Sequence, residues 1–160
     1  MQWAMAVLLL LAIGCLRLQV PGDHATRNPT AANELADWVV GSTWGSSMFL
    51  FPDLGRSGEP GVLRARSQRA LWVDWNGGTL VPSSQSFAGN WWNRWEQSME
   101  PGYSLQRLQA HLSLPIDYYV LTPQHRLAAV RPVFANSAFL VYDANDLRNA
   151  PAPLHAASNP

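Results

Sequence analysis

The chain has 160 residues, the size of one domain with a short appendage. Hydrophobic residues make up 48% and charged residues 14%, against roughly 25% charged in an average soluble chain, which excludes disorder over the whole length. Eleven acids balance eleven bases, all of them Arg. That neutrality argues against nucleic acid as a partner, because a basic face is needed to displace counterions from phosphates. The single cysteine, Cys15, excludes an internal disulfide and a multi-cysteine zinc site.

Trp3 to Leu16 is an uncharged and almost wholly apolar run, short against the roughly 20 residues that cross a bilayer core. Continuing it through Val20 requires Arg17 to snorkel. One reading is a signal peptide, although Met1-Gln2 offers no basic start and no small-x-small cleavage site follows. A lipoprotein signal around Ala12-Ile13-Gly14-Cys15 also lacks the basic start. The preferred reading is the tail of a membrane helix with more protein ahead of Met1, which needs no such start; a buried globular helix is the remaining alternative. Arg17 casts one weak vote for a cytoplasmic flank. The expected organisation is a hydrophobic membrane segment over 1–20, a linker over 21–29, a folded domain over 30–146 and a disordered tail over 147–160.

Pro21 to Pro29 (PGDHATRNP) reads as the linker. Thr30, or Asn28 with Pro29 at the first helical position, can cap the next segment. Leu35, Trp38 and Val39 fall at i, i+3, i+4, so a helix is predicted over 30–40 with Gly41 as its stop. Met48-Phe49-Leu50-Phe51 suits a short buried strand that Pro52 ends. Residues 53–66, rich in Gly and Arg, read as a loop. Ala70 to Trp75 reads as a second buried strand, stopped by Asn76-Gly77-Gly78. Trp91, Trp92, Trp95 and Met99 are placed on one face of a helix beginning near Asn90. Ser104 caps another, with Leu105, Leu108 and Leu112 inward. Ile116 to Leu121 is a third strand, and Val130 to Ala135 with Ala138 to Tyr142 flank Asn136-Ser137 as a hairpin. Pro132 pushes the first hairpin strand to a sheet edge. The sum is an α/β domain with a mixed, largely parallel central sheet, helices on both faces and a C-terminal antiparallel hairpin, preceded by the N-terminal hydrophobic helix.

Reactive motifs are sparse. His24, His111, His125 and His155 are scattered without ligand spacing and read as surface or linker residues. Asp143-Ala144-Asn145-Asp146 starts like a calcium loop but lacks its later Gly and Glu, so a turn or helix start is the better reading. Gly41-Ser42-Thr43-Trp44-Gly45 has elbow spacing yet follows a helix rather than a strand. Neither a phosphate loop nor a dinucleotide fingerprint is present, and no catalytic residue, metal site or cofactor is expected.

What remains is a cluster at 64–95. Arg64, Arg66 and Arg69 precede the second strand, Asp74-Trp75-Asn76 close it, and Trp91-Trp92-Asn93-Arg94-Trp95 follow. Ligands of open α/β sheets sit at the carboxyl ends of strands, where Asp74 falls. A carboxylate, an Arg and flat indole faces suit a saccharide, with the indole on the apolar ring face and charged groups on the hydroxyls. The candidate ligand-binding set is Arg69, Asp74, Trp75, Asn76, Trp92 and Arg94. Against it stands the reading in which the Trp residues are core and Asp74 pairs structurally with Arg69 or Arg94.

The order of a helix ending in ADW (36–38), a strand ending in FPD (51–53), RALWVDWN (69–76), WWNRW (91–95) and FANSAFLVYD (134–143) resembles an uncharacterised soluble domain. That domain sits at the C-terminus of bacterial multi-spanning membrane proteins similar to glycosyltransferases that use lipid-linked sugars. The resemblance covers residues 30–145 and is strongest in the R-x-x-x-x-D-W segment and the Trp-Arg helix. It implies that the apolar N-terminus is the last membrane helix, that membrane lipid and a saccharide or lipid-linked sugar are the partners, and that the domain faces the extracytoplasmic (periplasmic) side. Catalytic residues would lie in the membrane part. Where that family often has Lys after the Asp-Trp pair, this chain has Asn76, so a role for such a Lys with an anionic ligand does not carry over. The expected function is therefore a non-catalytic accessory domain of a glycosyltransferase-like membrane protein. The competing readings are a stand-alone secreted or lipid-anchored carbohydrate-binding module, and a small hydrolase using Asp74 with Glu96 or Glu100.

Overall fold

The computed structural model describes residues 28–78, 85–99 and 102–150. The apolar segment over 1–20, nearly all of the linker, and the tail beyond residue 150 lie outside them. Among the described residues no helix is long and apolar enough to cross a membrane.

Five helices and five strands form these residues: α1 (Pro29–Ser42), β1 (Met48–Leu50), α2 (Glu59–Ser67), β2 (Ala70–Leu71), α3 (Gln85–Ser98), α4 (Leu105–His111), β3 (Tyr118–Leu121), β4 (Phe134–Ala135), β5 (Leu140–Asp143) and α5 (Ala144–Arg148). A 3-10 turn, Pro123–His125, follows β3. The strands make one mixed sheet in the order β2-β1-β3-β5-β4. The β1 strand runs parallel to both β2 and β3, with Phe49 opposite Leu71 on one side and Tyr118 on the other. The β3–β5 and β5–β4 ladders are antiparallel. Parallel pairing is thus confined to half of the sheet rather than dominating it.

Side chains of a strand alternate between faces, and here the alternation sorts the core into two layers. Phe49, Phe51, Val120 and Val141 pack with Leu35, Val39 and Leu63 from α1 and α2. Leu50, Tyr119, Leu121, Leu140 and Tyr142 pack on the opposite face with Trp95, Leu108 and Leu147 from α3, α4 and α5. Both faces are covered, as the sequence pattern predicts.

The α1 helix takes Asn28 as N-cap, with Pro29 in the first turn. It runs through Gly41 to Ser42, where Thr43 caps it by bonding Val39 O through both its N–H and its hydroxyl. Gly41 is therefore an internal residue, not the stop. Ser104 caps α4 by accepting from the Arg107 N–H, and Asp143 caps α5 in the same way. The α5 helix buries Leu147, so the folded domain extends beyond residue 146.

Several elements differ from the sequence reading, among them α3, which begins at Gln85 rather than near Asn90. Residues 59–67, expected as loop, form α2. Pro60 lies in its first turn, where the missing N–H has no partner to lose. Gly61 lets the Asn76 side chain pack close, since a Cβ there would come 2.5 Å from its nitrogen and displace it. The β2 strand spans two residues at the sheet edge rather than forming a buried strand to Trp75. Its chain turns at Asp74 into a one-turn helix at 76–78. The hairpin also shortens, because Asn136 Oδ1 accepts from the N–H groups of Ala138 and Phe139 and closes a four-residue loop. Its first strand, β4, does lie at the sheet edge, where Pro132 costs no ladder bond.

Candidate functional sites at the carboxyl ends of the parallel strands

The chain leaves β1, returns through α2 on one face to β2, and then crosses through α3 and α4 on the other face to β3. The connections diverge on either side of β1. In open sheets of this kind the crevice beyond the carboxyl ends at such a switch is where ligands sit. Two cavities lie at these ends, one beyond β2 and one beyond β1 and β3.

The cavity beyond β2, about 230 Å³, is lined by residues including Arg64, Trp72, Asp74, Asn90, Trp91 and Arg94. Asp74 is buried, with Oδ1 accepting from Arg64 at 2.8 Å and Oδ2 from the Gly77 N–H at 3.2 Å. Gly77 is tightly placed, since a Cβ there would lie 2.7 Å from Asp74 Oδ1. Burial pushes the Asp74 carboxyl above its ordinary value, outweighing the opposing pull of Arg64 and the Gly77 N–H. Asp74 therefore holds the turn together, and its partner is Arg64 rather than Arg69 or Arg94.

The remaining members of the expected set separate. Arg69 points away, donating to the carbonyls of Ser67 and Thr43 and tying the end of α1 to β2. Trp75 packs against Trp91 and Trp95, and the Arg56 guanidinium covers it at 4.3 Å. Asn76 abuts Gly61 of α2. Trp92 turns outward, half exposed, while Trp95 and Met99 are buried, so Trp92 is off the inner face. Arg94 stays at the cavity, with its guanidinium 4.4 Å above the Trp72 ring and one N–H on Trp72 O at 3.3 Å. Trp91 stacks on Trp95 and donates its indole N–H to Asp74 O. The indole faces expected to meet a sugar ring are largely taken up by one another and by Arg residues.

The lining that remains is rich in donors. Arg64 and Arg94 bring two cations. The Trp72 indole N–H is buried without an acceptor among the described residues. A buried donor without a partner costs about 1–3 kcal/mol, so a ligand bearing acceptor oxygens would gain by meeting it.

The second cavity, about 420 Å³, lies where Asp53 follows β1 and Thr122 and His125 follow β3. The Asp53 side chain is 0% exposed. Its Oδ2 accepts at 2.8 Å from the Thr122 N–H, from the Thr122 hydroxyl and from His125 Nδ1. A carboxylate oxygen can only accept, so the imidazole donates from Nδ1 in this contact. Tyr103 packs against the imidazole, with ring centroids 4.2 Å apart and the planes tilted by 34°. Burial, with the nearby Asp53 charge, pushes its phenol up to about 12, so Tyr103 stays protonated. Reading His125 as an isolated surface residue missed this pairing. Of the two described histidines His111 is the one away from the surface: it is buried, with its Nε2 donating to Gln97 O at 3.0 Å, whereas the His125 side chain is 37% exposed. Burial lowers the proton affinity of His111. The available signal was positional: Asp53 and Thr122 each follow the last apolar residues of a strand.

Among the described residues no group of three His, Cys, Asp or Glu side chains is arranged to hold a metal ion. Comparison of the chain with protein-family models, with curated proteins and with solved structures finds no match.

Proposed function

We propose that this chain is a membrane-tethered, extracytoplasmic recognition domain that accompanies a glycosyltransferase-like membrane protein and binds an oxygen-rich, anionic saccharide. The sugar-phosphate head of a lipid-linked sugar is the ligand class in view. The tether rests on the apolar run Trp3 to Leu16, and the association with sugar transfer rests on the resemblance over residues 30–145. The observation that carries the ligand reading is the cavity beyond β2, lined by Arg64, Arg94 and Trp72, whose buried indole N–H is unmatched among the described residues. Guanidinium groups bind phosphate in a fork of parallel N–H donors, and an indole N–H adds an aligned donor to a neighbouring hydroxyl or phosphoryl oxygen. Asp74 does no proton transfer in this reading, because both of its oxygens are engaged in holding the turn. Chemistry then belongs to the membrane part.

Calorimetric titration of the protein with sugar phosphates and with the corresponding neutral sugars tests this. Phosphorylated sugars should bind, and Arg94→Ala should weaken binding by about 10–100-fold, as loss of a charge-assisted contact does. Trp44→Ala, a change at an exposed position outside the cavity lining, should leave affinity unchanged. Equal affinities for wild type and Arg94→Ala, or heats no larger than those of dilution across the panel, would remove the ligand reading. Recovery of the chain, expressed from Met1, wholly in the soluble cytosolic fraction would remove the tether.

A further inference from the structure

The cavity at the β1/β3 switch has the opposite chemistry from the one beyond β2. Among the described residues no Arg lines it, whereas Asp53 and Glu59, both buried acids, do. One Asp53 oxygen is saturated by three donors, but the other, Oδ1, is buried without a partner among the described residues. The hydroxyl of Ser57, in the same lining, is likewise buried and unmatched. Native interiors rarely leave such acceptors unmet; among the described residues the one base on Asp53, His125, bonds its other oxygen, so two acids share this lining with a single imidazole. The site thus asks for a positive charge that carries several directed hydrogen-bond donors.

We propose that this cavity binds a small ligand through a primary ammonium group, with Asp53 Oδ1 and Ser57 Oγ as its acceptors and Glu59 adding negative charge. Three N–H donors on one cationic atom match these acceptors. A metal ion is the poorer fit, since the described residues offer no cluster with ligating geometry. A neutral polyol supplies donors but no charge to set against the two acids of the lining. Leu54 and Phe139 give the lining an apolar part for the carbon skeleton, and the volume, about 420 Å³, is in the range of small-molecule sites. His125 acts as a positioning residue: its Nδ1–H, with the two Thr122 donors, holds Oδ2 and leaves Oδ1 as the oxygen unmatched among the described residues. This inference is independent of the saccharide reading, because the two cavities share no lining residue.

Ethanolamine is the probe, with ethylene glycol as its uncharged counterpart and magnesium chloride at matched ionic strength as the metal arm. Thermal unfolding and calorimetry of the full chain should show saturable stabilisation by ethanolamine and none by ethylene glycol. Ser57→Ala and Glu59→Gln should each weaken ethanolamine about tenfold, while Arg94→Ala leaves it unchanged. Asp53→Asn should abolish binding; because Asp53 also anchors Thr122 and His125, the Ser57 and Glu59 variants decide the matter if that variant does not fold. Equal responses to ethanolamine and ethylene glycol, a response to magnesium alone, or ethanolamine binding untouched by Ser57→Ala and Glu59→Gln would each overturn the proposal.

Discussion

Replacing Phe49 with Ala should cost about 3–5 kcal/mol of folding stability, the range for deleting a buried aromatic ring. Phe49 is fully buried at the centre of the parallel half of the sheet, between β2 and β3. Its ring stacks on Tyr118 with centroids 5.0 Å apart, and α1 and α2 close over it through Leu35, Val39 and Leu63. A void there is walled by a hydrogen-bonded sheet and two helices, so it collapses poorly, and poor collapse is what takes a truncation to the upper end of its range. Domains are commonly stable by 5–15 kcal/mol; the variant should therefore approach or cross the unfolding limit. Urea unfolding followed by tryptophan fluorescence checks this: the midpoint should fall steeply while the slope stays constant. A loss below about 1 kcal/mol would contradict the packing of α1 and α2 on this face.

Arg64→Ala should cost about 2 kcal/mol near neutral pH and distinctly less near pH 4, because it leaves the buried Asp74 carboxylate without its cation. The sign follows from the direction of the Asp74 shift. Its carboxyl is already raised above 3.8 by burial, against the attraction of Arg64. The folded chain thus takes up a proton more readily than the unfolded chain. From 3.8 upward to the folded-state value, this group's contribution to stability falls as pH rises. Removing Arg64 raises the carboxyl further and widens that window. Where Asp74 is protonated the variant has little to lose, and where it is ionised the full penalty applies. Denaturant midpoints of wild type and variant at both pH values test the claim. An equal gap at both would assign the effect to lost packing of the Arg64 stem, not to charge. Adding Asp74→Asn to the variant should remove most of the pH dependence.

The Arg64–Asp74 pair also shows how far local reading of the sequence reaches. Three Arg residues precede β2 and a fourth lies on α3, and all are compatible with Asp74 by spacing. The choice falls to Arg64 because α2, whose Gly and Pro residues made it resemble a loop, turns that position toward the 74–78 turn while Arg69 swings back to the carbonyl of Thr43. The tryptophans illustrate the same limit. Helical spacing groups Trp91 with Trp95 and Met99 correctly, since residues four apart share a face. Trp92 is one position round the helix from Trp91 and half exposed. Whether an indole face was free for a sugar depended on what stacked on it, which spacing does not carry.

Local physics was legible in the sequence alone. The apolar runs at 48–51, 116–121 and 138–142 became strands, or the cores of strands, because a short β-prone stretch between breakers has few alternatives. Ser104 and Asp143 capped helices because their side chains reach N–H groups two or three residues on. Two-face burial and the edge position of β4 also followed from the apolar pattern and from Pro132. The tertiary structure alone decided where β2 ends and which strands pair in parallel. It alone brought Asp53 to His125 across 72 residues of chain. That contact exists only because β1 and β3 are neighbours in the order β2-β1-β3-β5-β4, and a neighbour in a sheet is chosen by the sum of many weak long-range contacts. No local segment encodes that sum, so the acidic cavity at the switch point became visible only once the strands were in order.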